Sequence, residues 1–452
     1  MNLNQIHSVY FIGIGGIGMS ALARYFMNIG KNVAGYDKTR TQLTDELENL
    51  GMKIHFDDAV SLIESQYLDK NSTLVVVTPA VPKNHSEWNY FVENGFEVKK
   101  RAEVLGLITK DTFCFAIAGT HGKTTTSSIL GHILYQSGVD VTAFLGGIVE
   151  NYNSNLIGTG KTVTVVEADE FDRSFLHLHP DMACVTSMDA DHLDIYSNVS
   201  AIEDSFREFA AKVESKNLFI ANGLPLIGNT IGINENTNFS AQNIRIEKGY
   251  YVFDVKTDSE IIENVKFGLP GHHNLSNALI AFAMAKKYGL AIEDIKNALE
   301  TFQGVRRRFS FQIREEKLIY IDDYAHHPTE INAVHQAVRE LYPNKKVLAV
   351  FQPHLFSRTK DFADGFAESL SKFDAIGLME IYPARELPID GVTSTWLLDK
   401  ITNINKSLVQ KEQLLDYINK SSFDVLVTIG AGDIGEMVKE IKKSINEKTK
   451  LA

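Results

Sequence analysis

A chain of 452 residues exceeds what one hydrophobic core serves, so about three domains are expected. Hydrophobic residues at 44% and charged residues at 23% fit a water-soluble globular protein, and no apolar run approaches the roughly 20 residues of a membrane span. Lys and Arg number 45 against 57 Asp and Glu; this balance of −12, without basic blocks, argues against non-specific nucleic-acid or anionic-membrane binding and leaves small anionic substrates open.

The N-terminus has no basic leader and no cleavage site, so no signal peptide is read there. "SVYFIGI" predicts a strand, "GMSALARYFMNIG" a helix ending at Gly30, and "NVAGYD" a second strand. The helix "TQLTDELENLG", then "MKIHF" and the strand "STLVVVTPAVP" complete a Rossmann-like domain, placed at residues 1–105. Gly13, Gly15, Gly16 and Gly18 form a G-x-G-x-x-G turn between the first strand and its helix. Backbone N–H groups at such a turn favour a diphosphate. Asp37 ends the next strand 19 residues after Gly18, where a ribose-binding acid belongs. Alone, this motif favours a dehydrogenase.

A second α/β block opens at "TFCFAIAG" and is placed at residues 106–315. Cys114 lies in that run and Cys184 in "MACVTS"; reduced, buried thiols and a cytoplasmic protein are expected. The strand feeds Gly119-Thr120-His121-Gly122-Lys123-Thr124-Thr125 and a helix. The usual phosphate loop reads G-x-x-x-x-G-K-[ST], but Ile117 stands where its first glycine belongs, so the loop is a variant. Lys123, expected as an exposed loop-tip lysine adding little stability, would supply charge to β/γ-phosphates, and Thr124 could reach Mg²⁺. "VVEADE" ends a strand with Glu167, Asp169 and Glu170, and "DADHLD" follows another with Asp189, Asp191, His192 and Asp194. One or two of these carboxylates suffice for Mg²⁺; a His ligand is unusual, and on spacing alone His192 reads as a hydrogen-bonding residue. The helix "HHNLSNALIAFAMAKKYG" belongs to the same block.

The α/β rhythm restarts with "KVLAVFQPH", "AIGLMEIYPARE" and "DVLVTIGAGDIGEMVKEIKKS", giving a third domain at residues 316–452. Gly430, Gly432 and Gly435 repeat the G-x-G-x-x-G pattern, but only 17 residues follow, too few for a helix and a partner strand. A helix cap or minor contact is expected there.

"GIGGIGMSALA", "AGTHGKTTTS", "VEADE", "DADHLD", "GHHNLSNA", "RRRF", "DDYAHHPTEI" and "FQPHLFSRT", in this order along nearly the whole chain, resemble the Mur ligases of bacterial peptidoglycan synthesis. The resemblance implies an α/β fold of three domains: Rossmann-like N-terminal, central P-loop-type ATPase, and Rossmann-like C-terminal. The first would hold a UDP moiety, the second ATP, and the third would close over both and bring the amino acid. It implies ATP and Mg²⁺ as cofactors, and UDP-N-acetylmuramate and L-alanine as partners of a cytoplasmic monomer or weak homodimer. Residue by residue, it puts ATP phosphates and metal at Lys123 and Thr124 and Mg²⁺ at Glu167 and His192. His273, Asn274 and Asn277 match a nucleotide-site segment, Arg308 an arginine reaching the phosphates, and Asp323 a residue near the ribose. His326 and His327 would lie beside the cleft, His354 and Arg358 at the amino-acid end, and Asp37 at the uridine. "SAIEDSFREFAAK" offers no lysine matching the carbamylated one of members that add later residues.

The implied reaction begins with attack of the lactyl carboxylate on the γ-phosphate; L-alanine then displaces phosphate from the acyl phosphate. The nearest rival is a recycling ligase attaching a tripeptide to the same sugar nucleotide, against which the uninterrupted "GIGMSALA" helix start speaks. A dehydrogenase leaves Lys123 unexplained, and a non-catalytic nucleotide sensor leaves the full set of charged residues unexplained.

Overall fold

A computed structural model describes residues 3–189, 199–247, 249–384 and 386–451. His192, Asp191 and Asp194 lie outside these residues. The described residues form three sheets. The first is wholly parallel in the order β3-β2-β1-β4-β5, from β1 (Ser8–Ile12), β2 (Asn32–Tyr36), β3 (Lys53–His55), β4 (Thr73–Val77) and β5 (Glu97–Lys100). Its central strands β1 and β4 are buried along their whole length and largely apolar, as expected of a parallel sheet covered on both faces. The strand order reverses beside β1, and the loops after β1 and β4 meet there, with Thr78 N–H donating to Ile12 O at 3.3 Å. A crevice at such a reversal is where parallel α/β sheets take ligands.

The second sheet has ten strands in the order β15-β14-β13-β12-β11-β10-β6-β9-β7-β8. These are β6 (Phe113–Ala118), β7 (Val141–Val149), β8 (Ser154–Ile157), β9 (Val163–Glu167), β10 (Met182–Val185), β11 (Leu218–Ala221), β12 (Asn229–Ile233), β13 (Phe239–Glu247), β14 (Tyr250–Thr257) and β15 (Ile261–Phe267). The run from β13 to β7 is parallel, with antiparallel pairs at both ends. The third sheet runs β16-β17-β21-β18-β19-β20, from β16 (Ser310–Arg314), β17 (Ile319–Asp323), β18 (Val347–Phe351), β19 (Ala375–Leu378), β20 (Lys406–Leu408) and β21 (Val425–Ile429). It is parallel except for β16.

The chain forms two compact units, Met1–Gly268 with Ser276–Gln303, and Leu269–Leu275 with Gly304–Ala452. The first contains two sheets because they share one core. Val104, Leu105 and Ile108 of the helix Arg101–Thr109 pack in a single buried cluster with Phe26 of the first sheet's helices and Phe144 and Phe175 of the second. The boundary expected at 105 therefore falls inside a helix. The boundary expected at 315 falls after β16, which pairs with β17, so Gly304–Arg314 packs with the third sheet. Cys114 and Cys184 are buried free thiols. Among the described residues, no helix is long and apolar enough to cross a membrane.

Candidate active site

The variant loop has a simple local cause. Ile117 is a buried residue of β6, paired with Glu167 of β9 and Cys184 of β10. The strand continues where the usual loop would already be turning, so the turn begins at Gly119. Gly122 caps the helix Lys123–Gln136 at a φ of 85°, a left-handed conformation that glycine adopts without strain. It also lies against Asn277: a Cβ there would sit 2.6 Å from Asn277 Oδ1. Asn277 thus lies against the loop, whereas Asn274 donates its amide to Pro270 O at 2.7 Å.

Lys123 is not an exposed lysine. Its ammonium lies 2.7 and 3.0 Å from the two oxygens of Glu170 and 2.6 Å from Gly119 O, and its side chain is only 16% exposed. Burial opposes its charge, but the carboxylates of Glu170, Asp169 and Glu167 outweigh burial and push its pKa up. Glu167 accepts from Thr124 Oγ1 and Ser127 Oγ, both at 3.2 Å, and from Gly146 N–H at 2.5 Å. Thr125 is buried behind the loop. Thr120 Oγ1 donates to Asp189 O at 3.0 Å, His121 N–H to Ser187 Oγ at 2.8 Å, and His121 Nε2 lies 3.3 Å from Asp189 Oδ2.

The Gly13–Gly18 turn is in the same unit. Gly13 N–H donates to Tyr36 O at 2.8 Å, and Asp37 Oδ2 accepts from Gly15 N–H at 2.7 Å. A cavity of about 330 Å³ joins this turn to the lysine loop's strand edge: Gly16 and Gly18 line one side, Glu167 and Asp169 the other. Asn155 of β8 clamps the first helix here, donating to Ile17 O at 2.6 Å and Ser20 Oγ at 2.8 Å. Residue patterns gave no sign of this clamp, nor of the pairing of Glu170 with Lys123 or of Arg101 with Asp169. Each joins residues far apart in sequence.

The second unit gathers the remaining candidates at the carboxyl ends of β17 and β18. Arg307 has a φ of 62° and is anchored by Asp322 Oδ2 at 3.1 Å and Gly430 O at 2.6 Å. The G-x-G-x-x-G repeat at Gly430–Gly435 is thus filled by Arg307, a structural contact. Arg308 lies 3.8 Å from Glu330 and beside the Tyr324 ring. Asp323 accepts from the N–H groups of Phe309 and Ala325, each at 2.7 Å, and burial pushes its carboxyl up to about 6. Burial brings His273 down to about 4 and also lowers His326, while Glu330 acts to raise both. His326 N–H donates to Glu330 at 2.8 Å, and the His326 ring lies 6.3 Å from that of His354. Arg358 Nη1 lies 3.5 Å from His354 Nδ1, and Asp364 on the following helix pairs with Lys400 at 2.8 Å. His327 caps the helix Pro328–Leu341, accepting from Thr329 N–H at 3.3 Å.

One cavity joins the glycine turn to Glu167 and Asp169, and Glu167 in turn holds Thr124 of the lysine loop; in a three-sheet α/β chain this arrangement fits a nucleotide-dependent ligase. Residues 8–112 match the Mur ligase family catalytic domain, 117–285 the Mur ligase middle domain and 307–446 the Mur ligase glutamate ligase domain. The chain belongs to the Mur ligase family. It is 72% identical over 449 residues to a UDP-N-acetylmuramate–L-alanine ligase of Flavobacterium psychrophilum, covering 99% of this chain and 100% of the relative. It is 49% identical to a relative of the same name from Cytophaga hutchinsonii, covering 98% of this chain and 97% of that one. The crystal structure of a UDP-N-acetylmuramate–alanine ligase from Thermotoga maritima matches with a TM-score of 0.83 at 26% identity, covering 97% and 99%. A murein peptide ligase from Psychrobacter arcticus shares the fold, with a TM-score of 0.70 at 21% identity over 97% and 98%.

Proposed function

We propose that the protein joins L-alanine to the lactyl carboxylate of UDP-N-acetylmuramate at the expense of ATP, in peptidoglycan precursor synthesis. The observation that carries this reading is the cavity shared by the Gly13–Gly18 turn and the Glu167–Asp169 edge. It lets a sugar nucleotide held by the first reach a phosphate held by the lysine loop. A dehydrogenase has no use for that loop. The recycling alternative is disfavoured by the names and high identity of the relatives.

The carboxylate attacks the γ-phosphate, the bond to the β-phosphate oxygen breaks, and ADP leaves with its electron pair. The α-amine of L-alanine then attacks the acyl carbonyl and phosphate departs. Both partners in the first step are anionic, so cations decide the rate. We assign Lys123 to the β/γ-phosphates, with the loop N–H groups of Gly119–Thr125 around it, and Arg308 to the transferred group. Glu167 with Thr124 and Ser127 is a hard oxygen donor set that fits Mg²⁺, and His192 joins it by resemblance. Bound there, Mg²⁺ would neutralise phosphate charge. Asn277 supports the loop, and Asn274 and Asp323 are assigned to the adenosine end. Gly13, Gly15, Gly16 and Gly18 take the UDP diphosphate, and Asp37 the uridine. His326, His354 and Arg358 take the amino acid, with the guanidinium on its carboxylate.

Phosphate release with UDP-N-acetylmuramate, ATP and a panel of amines tests this. L-alanine should support turnover and L-alanyl-tripeptide should not; the reverse order would establish the recycling ligase.

A further inference from the structure

Resting on that reading, we infer that Arg101 grips the diphosphate of the sugar nucleotide and exchanges Asp169 for it when the substrate enters. Arg101 opens the helix that follows β5, so it stands on the ligand side of the first sheet. Its guanidinium lies on the first turn of the helix Ile17–Asn28: a Cβ on Gly18 would sit 2.5 Å from Arg101 Nη1. Arg101 lines the shared cavity together with Gly16, Gly18, Thr78, Glu167 and Asp169.

Charge makes a cation necessary there. A helix N-terminus offers about half an elementary charge, which cannot offset two cavity carboxylates against a dianionic ligand. Among the described residues that line the cavity, Arg101 is the one basic side chain. Its pairing with Asp169 is loose, 3.4 Å between side chains 26% and 37% exposed. Such pairs contribute little. A diphosphate offers the planar guanidinium a bidentate, doubly charged partner and displaces the carboxylate. Asp169 lies two residues from Glu167, so filling the sugar-nucleotide side removes Arg101 from a carboxylate at the edge assigned to phosphate transfer.

Equilibrium binding of UDP-N-acetylmuramate, UDP and uridine to the wild-type protein, Arg101→Ala and Arg101→Lys tests the inference, with thermal melting to verify folding. Arg101→Ala should weaken UDP and UDP-N-acetylmuramate by about tenfold or more and leave uridine and the KM for ATP unchanged. Arg101→Lys should recover part of the loss. Equal UDP binding by wild type and Arg101→Ala would overturn the inference. A penalty seen with UDP-N-acetylmuramate but not with UDP would overturn it too, placing Arg101 on the lactyl carboxylate. A wild-type protein that binds UDP but not UDP-N-acetylmuramate would instead refute the functional reading.

Discussion

Lys123 of the loop pairs with the buried Glu170 beyond β9, so losing the lysine has two consequences. Removing one partner of such a pair leaves an uncompensated charge. Lys123→Ala is therefore expected to lower the melting temperature as well as turnover. The loss of transition-state charge stabilisation alone costs on the order of 3 kcal/mol, or about a hundredfold in kcat. Adding Glu170→Ala should restore the melting temperature but not turnover; recovery of turnover would remove Lys123 from the chemistry. Arg358→Lys should raise the KM for L-alanine about tenfold and spare that for ATP, because an ammonium lacks the planar fork. An unchanged alanine KM would detach Arg358 from the amino acid. A third residue responds to pH. Burial pushes the Glu87 carboxyl from 4.5 up to about 7, in contact with Tyr10 Oη at 2.8 Å and near His55 at 3.3 Å. The folded chain then holds this proton more tightly than the unfolded chain, so stability falls as pH rises from 4.5 to about 7. Relative to wild type, Glu87→Gln should gain melting temperature across that window and level off above it. Parallel curves would contradict this.

At the scale of elements, the lysine loop shows what residue patterns carry. A strand, a turn rich in glycine and a helix with Lys123 at its start were legible because each is local chemistry. The substitution of Ile117 for glycine was legible as a variation, and its reason became visible only when β6 was seen flanked by β9 and β10. The ion pair of Lys123 with Glu170 was not legible, because spacing does not say which carboxylate of "VEADE" turns toward the loop. Nor was the helix Arg101–Thr109 legible as the joint of two sheets: its apolar residues announce burial without naming the partner. The turn itself gives a prediction. Gly122→Ala forces a Cβ into a left-handed residue against Asn277. This should cost roughly 1–3 kcal/mol of stability and raise the KM for ATP. A variant with wild-type melting and ATP affinity would show that the loop moves freely of Asn277.

For the whole molecule, the proposed reaction activates a carboxylate as an acyl phosphate before the amine arrives. The first unit places the turn proposed for the diphosphate on one side of a cavity and Glu167, which holds Thr124 of the lysine loop, on the other. Water excluded from the site would protect the acyl phosphate until the amine attacks. Isotope transfer reads this chemistry directly. UDP-N-acetylmuramate carrying ¹⁸O in both lactyl carboxylate oxygens, incubated with the protein, ATP and L-alanine, should release inorganic phosphate bearing one ¹⁸O per molecule, with the other retained in the new amide. Phosphate released without label would show that ATP is hydrolysed or used elsewhere and would contradict the acyl-phosphate route.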